Sequence, residues 1–149
     1  MATPSPLLRS AFEFLEHGLF HHLRSDTTLD QKFAILHVDQ AVELVLKARV
    51  LAFKVSIYKP NNTKETISIY EAYRILEGKG CKFPERPNLE LLHDERNSIQ
   101  HKYASPDAKT TAFHMENSLK FFRRFLRTEF GLKLGDYIPQ EHIRDVLGA

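Results

Sequence analysis

The segment from Leu29 to Tyr58 constrains the fold most strongly, because its middle, Ala41 to Val55, is apolar on most sides. Its polar side chains form a narrow stripe at helical spacing, made mainly of Gln40, Glu43, Lys47 and Lys54. One helix over the whole segment would span about 45 Å at ~1.5 Å per residue. A helix that is apolar on most sides is enclosed by neighbours, so this segment is predicted to lie at the centre of a helical bundle.

Capping signals mark two further helices. Ser5 followed by Pro6 opens a helix that runs to about Leu23. The segment 68–71 has the sequence of a capping box and begins a short helix that ends near Gly78. Residues 59–65, between the central helix and this short helix, are predicted to form a loop.

The second half of the chain predicts two more helices. After a proline-rich connector, Asn88 is expected to cap a helix that ends at residues 104–107. The last long helix reaches about Phe130, with Gly131 as its stop. The apolar face of this last helix is predicted to include Phe113, Leu119, Phe122 and Leu126.

No segment shows convincing strand alternation, so the predicted fold class is all-α, an up-and-down bundle of four to five main helices. The 149 residues are expected to form one domain, with a core over about 5–130 and a short C-terminal extension over 131–149.

Composition narrows the class of protein. The net charge of +2 demands no polyanionic partner by itself. The single cysteine, Cys81, excludes an internal disulfide and fits a reducing cytosol, and it is expected to be inert because no histidine accompanies it. No apolar run reaches the ~18 residues of a membrane span, and no signal-peptide pattern opens the chain. We expect a soluble, cytoplasmic protein without a membrane partner.

Within the fourth predicted helix, one position departs from its local pattern. A seam with the spacing three, four, three, four would consist of Leu89, Leu92, Arg96, Ile99 and Tyr103. Position 96 should be apolar in such a seam, and an arginine there costs free energy unless a carboxylate or another partner meets it. His101 follows five residues later, and an arginine with a histidine nearby suggests phosphate chemistry.

Residues five apart on a straight helix differ in direction by about 140°, so Arg96 and His101 of one chain do not face one phosphate together. Two arrangements would bring them together. The helix unwinds near Gln100, or two copies of the helix meet about a two-fold axis and share one cleft. Asn97 lies four residues before His101 and is expected to orient its imidazole. The alternative is that Arg96 and His101 are ordinary surface or ion-pair residues.

The sequence from Arg96 to His101 resembles the Arg-x4–6-His motif of the HEPN superfamily, including the polar residue, here Asn97, that follows the arginine. The helical layout and the preceding long helix, with residues 41–48, agree with this resemblance over about residues 5–130. The resemblance implies a four- to five-helix bundle that forms homodimers. It also implies a metal-independent endoribonuclease of toxin–antitoxin, phage-defence or RNA-processing systems, with Arg96 and His101 as the catalytic pair and a 2′,3′-cyclic phosphate as product.

Extended to Tyr103, the motif is also similar to the Arg-x4-His-x-Tyr form of HepT-type toxins. In those proteins a separate nucleotidyltransferase antitoxin modifies the tyrosine with AMP. The alternative for Tyr103 is a seam residue that packs its ring against the bundle.

Several other polar residues have two interpretations each. Glu43 either holds Arg96 in place or forms an i, i+4 salt bridge with Lys47. A set of basic residues either contacts an RNA backbone or forms a solvated surface: Lys102, Lys120, Arg123, Arg124 and Arg127. The first helix also carries His17, His21 and His22, of which two have the i, i+4 spacing of a metal-binding pair. No carboxylate or cysteine completes a ligand set, so neither a metal nor a cofactor is expected.

The predicted function is metal-independent RNA cleavage in a homodimer. The competing class is a non-catalytic module that binds a nucleotide, RNA or a partner protein through the same cleft, and a third possibility is a pure dimerisation scaffold.

Overall fold

A computed structural model describes residues 4–24 and 27–148 of the chain. Its α-helices are α1 (Pro6–Leu23), α2 (Thr28–Ala52), α3 (Ile69–Gly78), α4 (Arg86–Lys102), α5 (Ala108–Phe125) and α6 (Gln140–Leu147). Two short strands, β1 (Tyr58–Lys59) and β2 (Asn62–Thr66), pair antiparallel. The prediction of a mainly helical fold is confirmed, with this hairpin as the exception, whereas an HEPN-like arrangement of the helices stays a prediction. None of the helices in the described ranges is long and apolar enough to cross a membrane.

The central helix is shorter than predicted. Helix α2 ends at Ala52 instead of continuing to Tyr58, and Lys54 adopts a left-handed conformation with φ 65°. The residues beyond it form the hairpin, and Ile57 remains buried at its base. The apolar run therefore continues past the helix end, and periodicity alone does not separate a buried non-helical segment from a buried helix.

Local capping explains most of the other boundaries. Ser5 accepts a hydrogen bond from the backbone N–H of Leu8, and both reciprocal bonds of the predicted capping box join Ser68 and Glu71. The prediction that Asn88 caps α4 is wrong: Glu85 occupies the cap position, and the Asn88 amide donates to Asn117 on α5 at 3.0 Å. A proline in the first turn of α4 fits there because its missing N–H would have no partner inside the helix.

The last long helix changes form before it stops. Residues Leu126–Phe130 continue α5 as a π-helical turn, and Gly131 ends it with φ 67° as predicted. Three of the four residues predicted for its apolar face are buried, namely Leu119, Phe122 and Leu126. Phe113 is exposed instead, so that part of the predicted face was wrong.

The core centres on α2, against which α1, α3, α4 and α5 all pack. It also includes the segment after Gly131, because Leu134 and Ile138 are buried and the ring of Tyr137 stacks on Phe12 with centroids 4.5 Å apart. The C-terminal segment thus contributes to the same hydrophobic core as the long helices.

Gly18 allows α1 and α2 to approach closely. A Cβ atom at position 18 would lie 2.5 Å from a methyl group of Val38 and 3.1 Å from the carbonyl oxygen of Ala34. The carbonyl belongs to the backbone of α2, so the two helices would have to separate to make room.

We expect Gly18→Ala to lower the free energy of unfolding by about 1–3 kcal/mol, because the added methyl overpacks this contact. Gly78→Ala is the matched control, since a Cβ at Gly78 meets nothing within 4 Å. That control should stay within about 1 kcal/mol of the wild type. Urea unfolding followed by circular dichroism measures both, and equal stability of the two variants would contradict the close contact.

Candidate functional site

The candidate site is built around Asp39, a carboxylate on α2 that is only 2% exposed. The Nδ1 atom of His93 lies 3.1 Å from Asp39 Oδ2 and 3.3 Å from Oδ1. The Nε atom of Arg96 lies 3.7 Å from the same Oδ2. His93 and Arg96 are three residues apart on α4 and therefore share the face that packs on α2.

A buried carboxylate is costly without partners, and two basic side chains of α4 supply them. The hydrogen bond to Asp39 raises the pKa of His93, while partial burial of the ring acts in the opposite direction. On α5, burial lowers the pKa of His114, and the charge of Asp39 opposes that effect. The Nδ1 atom of His114 is buried and has no hydrogen-bond partner among the described residues.

Arg96 is held in a defined orientation. Its Nη1 donates to Asn97 Oδ1 at 3.0 Å, and its Nε faces Asp39. The side chain remains 29% exposed. Its Nη2, which carries two of the roughly five N–H donors of a guanidinium, has no hydrogen-bond partner within residues 4–24 and 27–148. The carboxylate that an arginine in the seam requires is thus Asp39.

His101 faces away from Arg96. Helix α4 is continuous through Lys102, so the separation of about 140° between the two directions is retained, and unwinding near Gln100 is not observed. His101 is exposed and makes no hydrogen bond or ion pair within the described part of the chain. Asn97 was expected to orient His101, but its oxygen accepts from Arg96, and no hydrogen bond joins Asn97 to the imidazole.

Tyr103 lies outside the seam. It ends α4 in a left-handed conformation with φ 57° and is 92% exposed. The interpretation that its ring packs against the bundle is therefore wrong for the single chain. Lys102 is also exposed. The seam is buried at Leu89 and Leu92 and only partly covered at Ile99.

The C-terminal half of α4 is incompletely covered. From residue 93 to residue 103 every side chain is either half-buried or exposed. Helix α4 contributes two fully buried residues, Leu89 and Leu92, and both belong to its first half. The part of α4 that carries Arg96 and His101 thus presents accessible surface.

Glu43 does not contact Arg96. Its carboxylate accepts from Lys47 Nζ at 2.8 Å, and the same ammonium donates to Thr66 on β2 at 2.8 Å. The i, i+4 salt bridge is therefore the interaction that forms, and the carboxylate that meets Arg96 lies one helical turn earlier, at Asp39.

The basic residues of α5 do not form one free surface. Lys120 pairs with Glu116 at 3.1 Å, and Arg124 Nη2 donates to Glu85 Oε1 at 2.8 Å. Arg123 and Arg127 are exposed. Three of the four predicted cations are therefore exposed, and one of these, Lys120, is paired with Glu116.

The histidines of α1 separate into two groups. His22 Nδ1 contacts Gln31 Oε1 at 3.2 Å. His17 and His21 instead gather with His37 of α2, which the sequence analysis did not connect to them. Burial lowers the pKa of His37, and the charges of His17 and His21 lower it further.

The Cys81 thiol is not activated as a nucleophile. It is buried, and its thiol donates to Glu129 at 3.3 Å. Burial and the bond to Glu129 raise the pKa of Cys81 to about 11, so little thiolate exists near neutral pH. This agrees with the expectation of an inert cysteine.

No family model matches the chain, and comparison with curated proteins and with solved structures finds no significant match either. The resemblance to the HEPN superfamily therefore rests on the motif and the order of helices in the sequence.

Sequence reasoning missed Asp39 and His93. Asp39 is a charged residue on the helix face that carries Ile35, Val38 and Val42, and His93 lies one turn before Arg96 on the same face. Each carries a usable signal, a polar residue at a position where helical periodicity places the core. The pairing itself depends on how α4 lies across α2.

We expect His93 to contribute stability mainly in its protonated form. Its pKa is raised in the folded protein, so this contribution is present below the unfolded pKa of 6.5 and is lost as pH rises through the folded pKa. The difference in unfolding free energy between wild type and His93→Gln should therefore be larger at about pH 5.5 than at about pH 8.5. Urea unfolding at both pH values measures it.

Asp39→Asn serves as the partner variant. It should cost about 1–3 kcal/mol near neutral pH, because His93 and Arg96 lose the negative charge of their buried partner. It should also lower the pKa of His93, as followed by NMR titration of the ring, since the charge of Asp39 is lost while partial burial and the charge of Arg96 still favour the neutral ring. An unchanged pKa of His93 in Asp39→Asn would show that the pair does not control it.

Proposed function

We propose that the protein is a metal-independent endoribonuclease that acts as a homodimer through Arg96 and His101. The observation that supports this most directly is the fixed guanidinium of Arg96, held by Asp39 and Asn97 on a partly uncovered stretch of α4. A held arginine with unused N–H donors at accessible surface is suited to bind a phosphate diester.

The chemistry requires a base, an acid and a cation. One imidazole takes the proton from the 2′-OH of the RNA, and the 2′-oxygen then attacks phosphorus. The bond from phosphorus to the 5′-oxygen breaks, and a second, protonated imidazole gives its proton to that oxygen. Arginine stabilises the charge on the pentacovalent phosphorus as it develops. The products are a 2′,3′-cyclic phosphate and a 5′-hydroxyl.

One chain supplies one His101, and that histidine points away from its own Arg96. A second copy related by a two-fold axis would bring its own His101 and Arg96 to the same cleft. The incomplete cover over residues 93–103 supports this arrangement, because a partner helix would bury surface that the single chain leaves open.

The motif resemblance further suggests a toxin or defence role in the cytoplasm, with a separate nucleotidyltransferase antitoxin as partner. The 92% exposure of Tyr103 supports this proposal, since its phenolic oxygen is accessible to a modifying enzyme. Lys102 and the exposed arginines at positions 123 and 127 are the cations available for the RNA backbone.

A second candidate is a non-catalytic module that binds RNA, a nucleotide or a partner protein through α4. The separation of about 140° between Arg96 and His101 on the continuous helix favours it, because a binding surface does not require both side chains to contact one phosphate. Incubation with total RNA separates the two functions: retained binding without new fragment ends supports the module.

We expect His101→Ala to reduce RNA cleavage by about 10²–10⁴-fold, because an acid–base group is lost. The loss should be the same in EDTA and in magnesium. Folding should be unaffected, since His101 is exposed. Arg74→Ala, which removes an exposed cation from α3, is the control for general charge loss. Full cleavage by His101→Ala would exclude the assigned role.

Mixing wild-type and His101→Ala chains tests the shared cleft. If one cleft needs the imidazoles of both copies as base and acid, mixed dimers contain only one of the two and should lose cleavage by about 10²–10⁴-fold, as the His101→Ala dimer does. If each chain instead formed a complete site with its own Arg96 and His101, mixed dimers would keep about half of the wild-type activity. Fluorescent RNA hydrolysis, with light scattering to confirm dimers, measures the outcome.

A further inference from the structure

A cluster of three imidazoles joins α1 to α2 and shares no residue with the cluster on α4. One ring nitrogen from each of His17, His21 and His37 lies within 4.8 Å of the others. We propose that these three histidines bind a single divalent transition-metal ion of the zinc type.

The geometry is close to what such an ion requires. His17 and His21 lie one turn apart on α1, with ring centroids 4.7 Å apart, and the His37 ring lies 4.8 Å from that of His17. Tetrahedral zinc with Zn–N bonds of about 2.0–2.1 Å places its ligand nitrogens roughly 3.4 Å apart. Small rotations of these side chains would close the difference, and the His17 side chain is exposed.

A carboxylate supports the ligand set in the manner common to zinc-bound histidines. Asp30 Oδ1 lies 3.0 Å from His21 Nδ1, and Thr27 Oγ1 donates to Asp30 Oδ2 at 2.9 Å. A carboxylate accepts the Nδ1 proton, so His21 Nε2 keeps a lone pair for a metal. Histidines that merely pack on one another do not need such a fixed tautomer.

The surroundings leave room and suitable charge for an additional ligand. An open groove of about 270 Å³ runs past His17 and is lined also by Glu13, Glu16, Phe20 and His142. Two carboxylates beside the groove favour a cation electrostatically. Three histidine ligands beside a groove that is open at His17 match the open type of zinc site, in which water or another molecule completes the tetrahedron.

The close approach at Gly18 makes this cluster possible. Gly18 follows His17, and its missing side chain lets Val38, the neighbour of His37, lie against α1. The same contact that sets the spacing of α1 and α2 therefore brings the third imidazole to the first two.

Isothermal titration of metal-free full-length protein with ZnCl₂ tests the site. We expect one ion per chain, with no comparable binding of MgCl₂, because imidazole ligands select transition metals over magnesium. His17→Ala and His37→Gln should each abolish stoichiometric binding. His22→Gln, which alters the neighbouring histidine outside the cluster, should bind as the wild type does.

Asp30→Asn gives a second, graded readout. Loss of the supporting carboxylate should weaken zinc binding by about 10–100-fold while the stoichiometry stays at one. Circular dichroism checks that each variant is folded. No stoichiometric zinc binding by the wild type, or equal binding by wild type, His17→Ala and His37→Gln, would overturn the proposal. Neither outcome depends on RNA cleavage, which is proposed to need no metal.

Discussion

The buried carboxylate of Asp39 is the constraint on which the arrangement of α4 depends. An ionised group that is almost fully removed from water must be met by positive partners, and here both lie on one face of α4. The requirement fixes the position of α4 along α2, since a shift of one turn would leave the carboxylate without its bonds. Apolar contacts at Leu89 and Leu92 hold the first half of α4, and the charged contacts hold the second.

Much of the fold could be predicted because its signals are local. The cap at Ser5, the capping box at Ser68 and the stop at Gly131 each depend on a few neighbouring residues, and the helices begin or end there. The end of α2 could not be predicted in this way. Val55 and Ile57 continue the apolar pattern, but Ile57 is buried from the irregular segment before the hairpin, a placement that the rest of the bundle determines.

In the candidate site, too, the residues marked by a local pattern could be predicted, and those brought together by packing could not. Arg96 was identifiable because it interrupts an apolar seam, which is a property of one helix. Its partner was not, because Asp39 and Glu43 are one turn apart on α2 and only the packing of α4 decides which of them it meets. The histidine cluster was missed for the same reason. His17 and His21 are neighbours in sequence, whereas His37 reaches them only through the close approach of α1 and α2.

Asp39 and His93 also set the net charge that a phosphate bound at Arg96 would meet. Asp39 alone would cancel the charge of Arg96 and weaken its attraction for a diester. A protonated His93 restores a single net positive charge to the three groups, and the hydrogen bond to Asp39 raises the pKa of His93 and favours that form. In the proposed cleft, Asp39 therefore has two opposing effects: it orients the guanidinium, and it recruits the second cation that compensates its own charge. An arginine fixed in this way loses little conformational freedom on binding phosphate, which is what electrostatic stabilisation of a transition state requires.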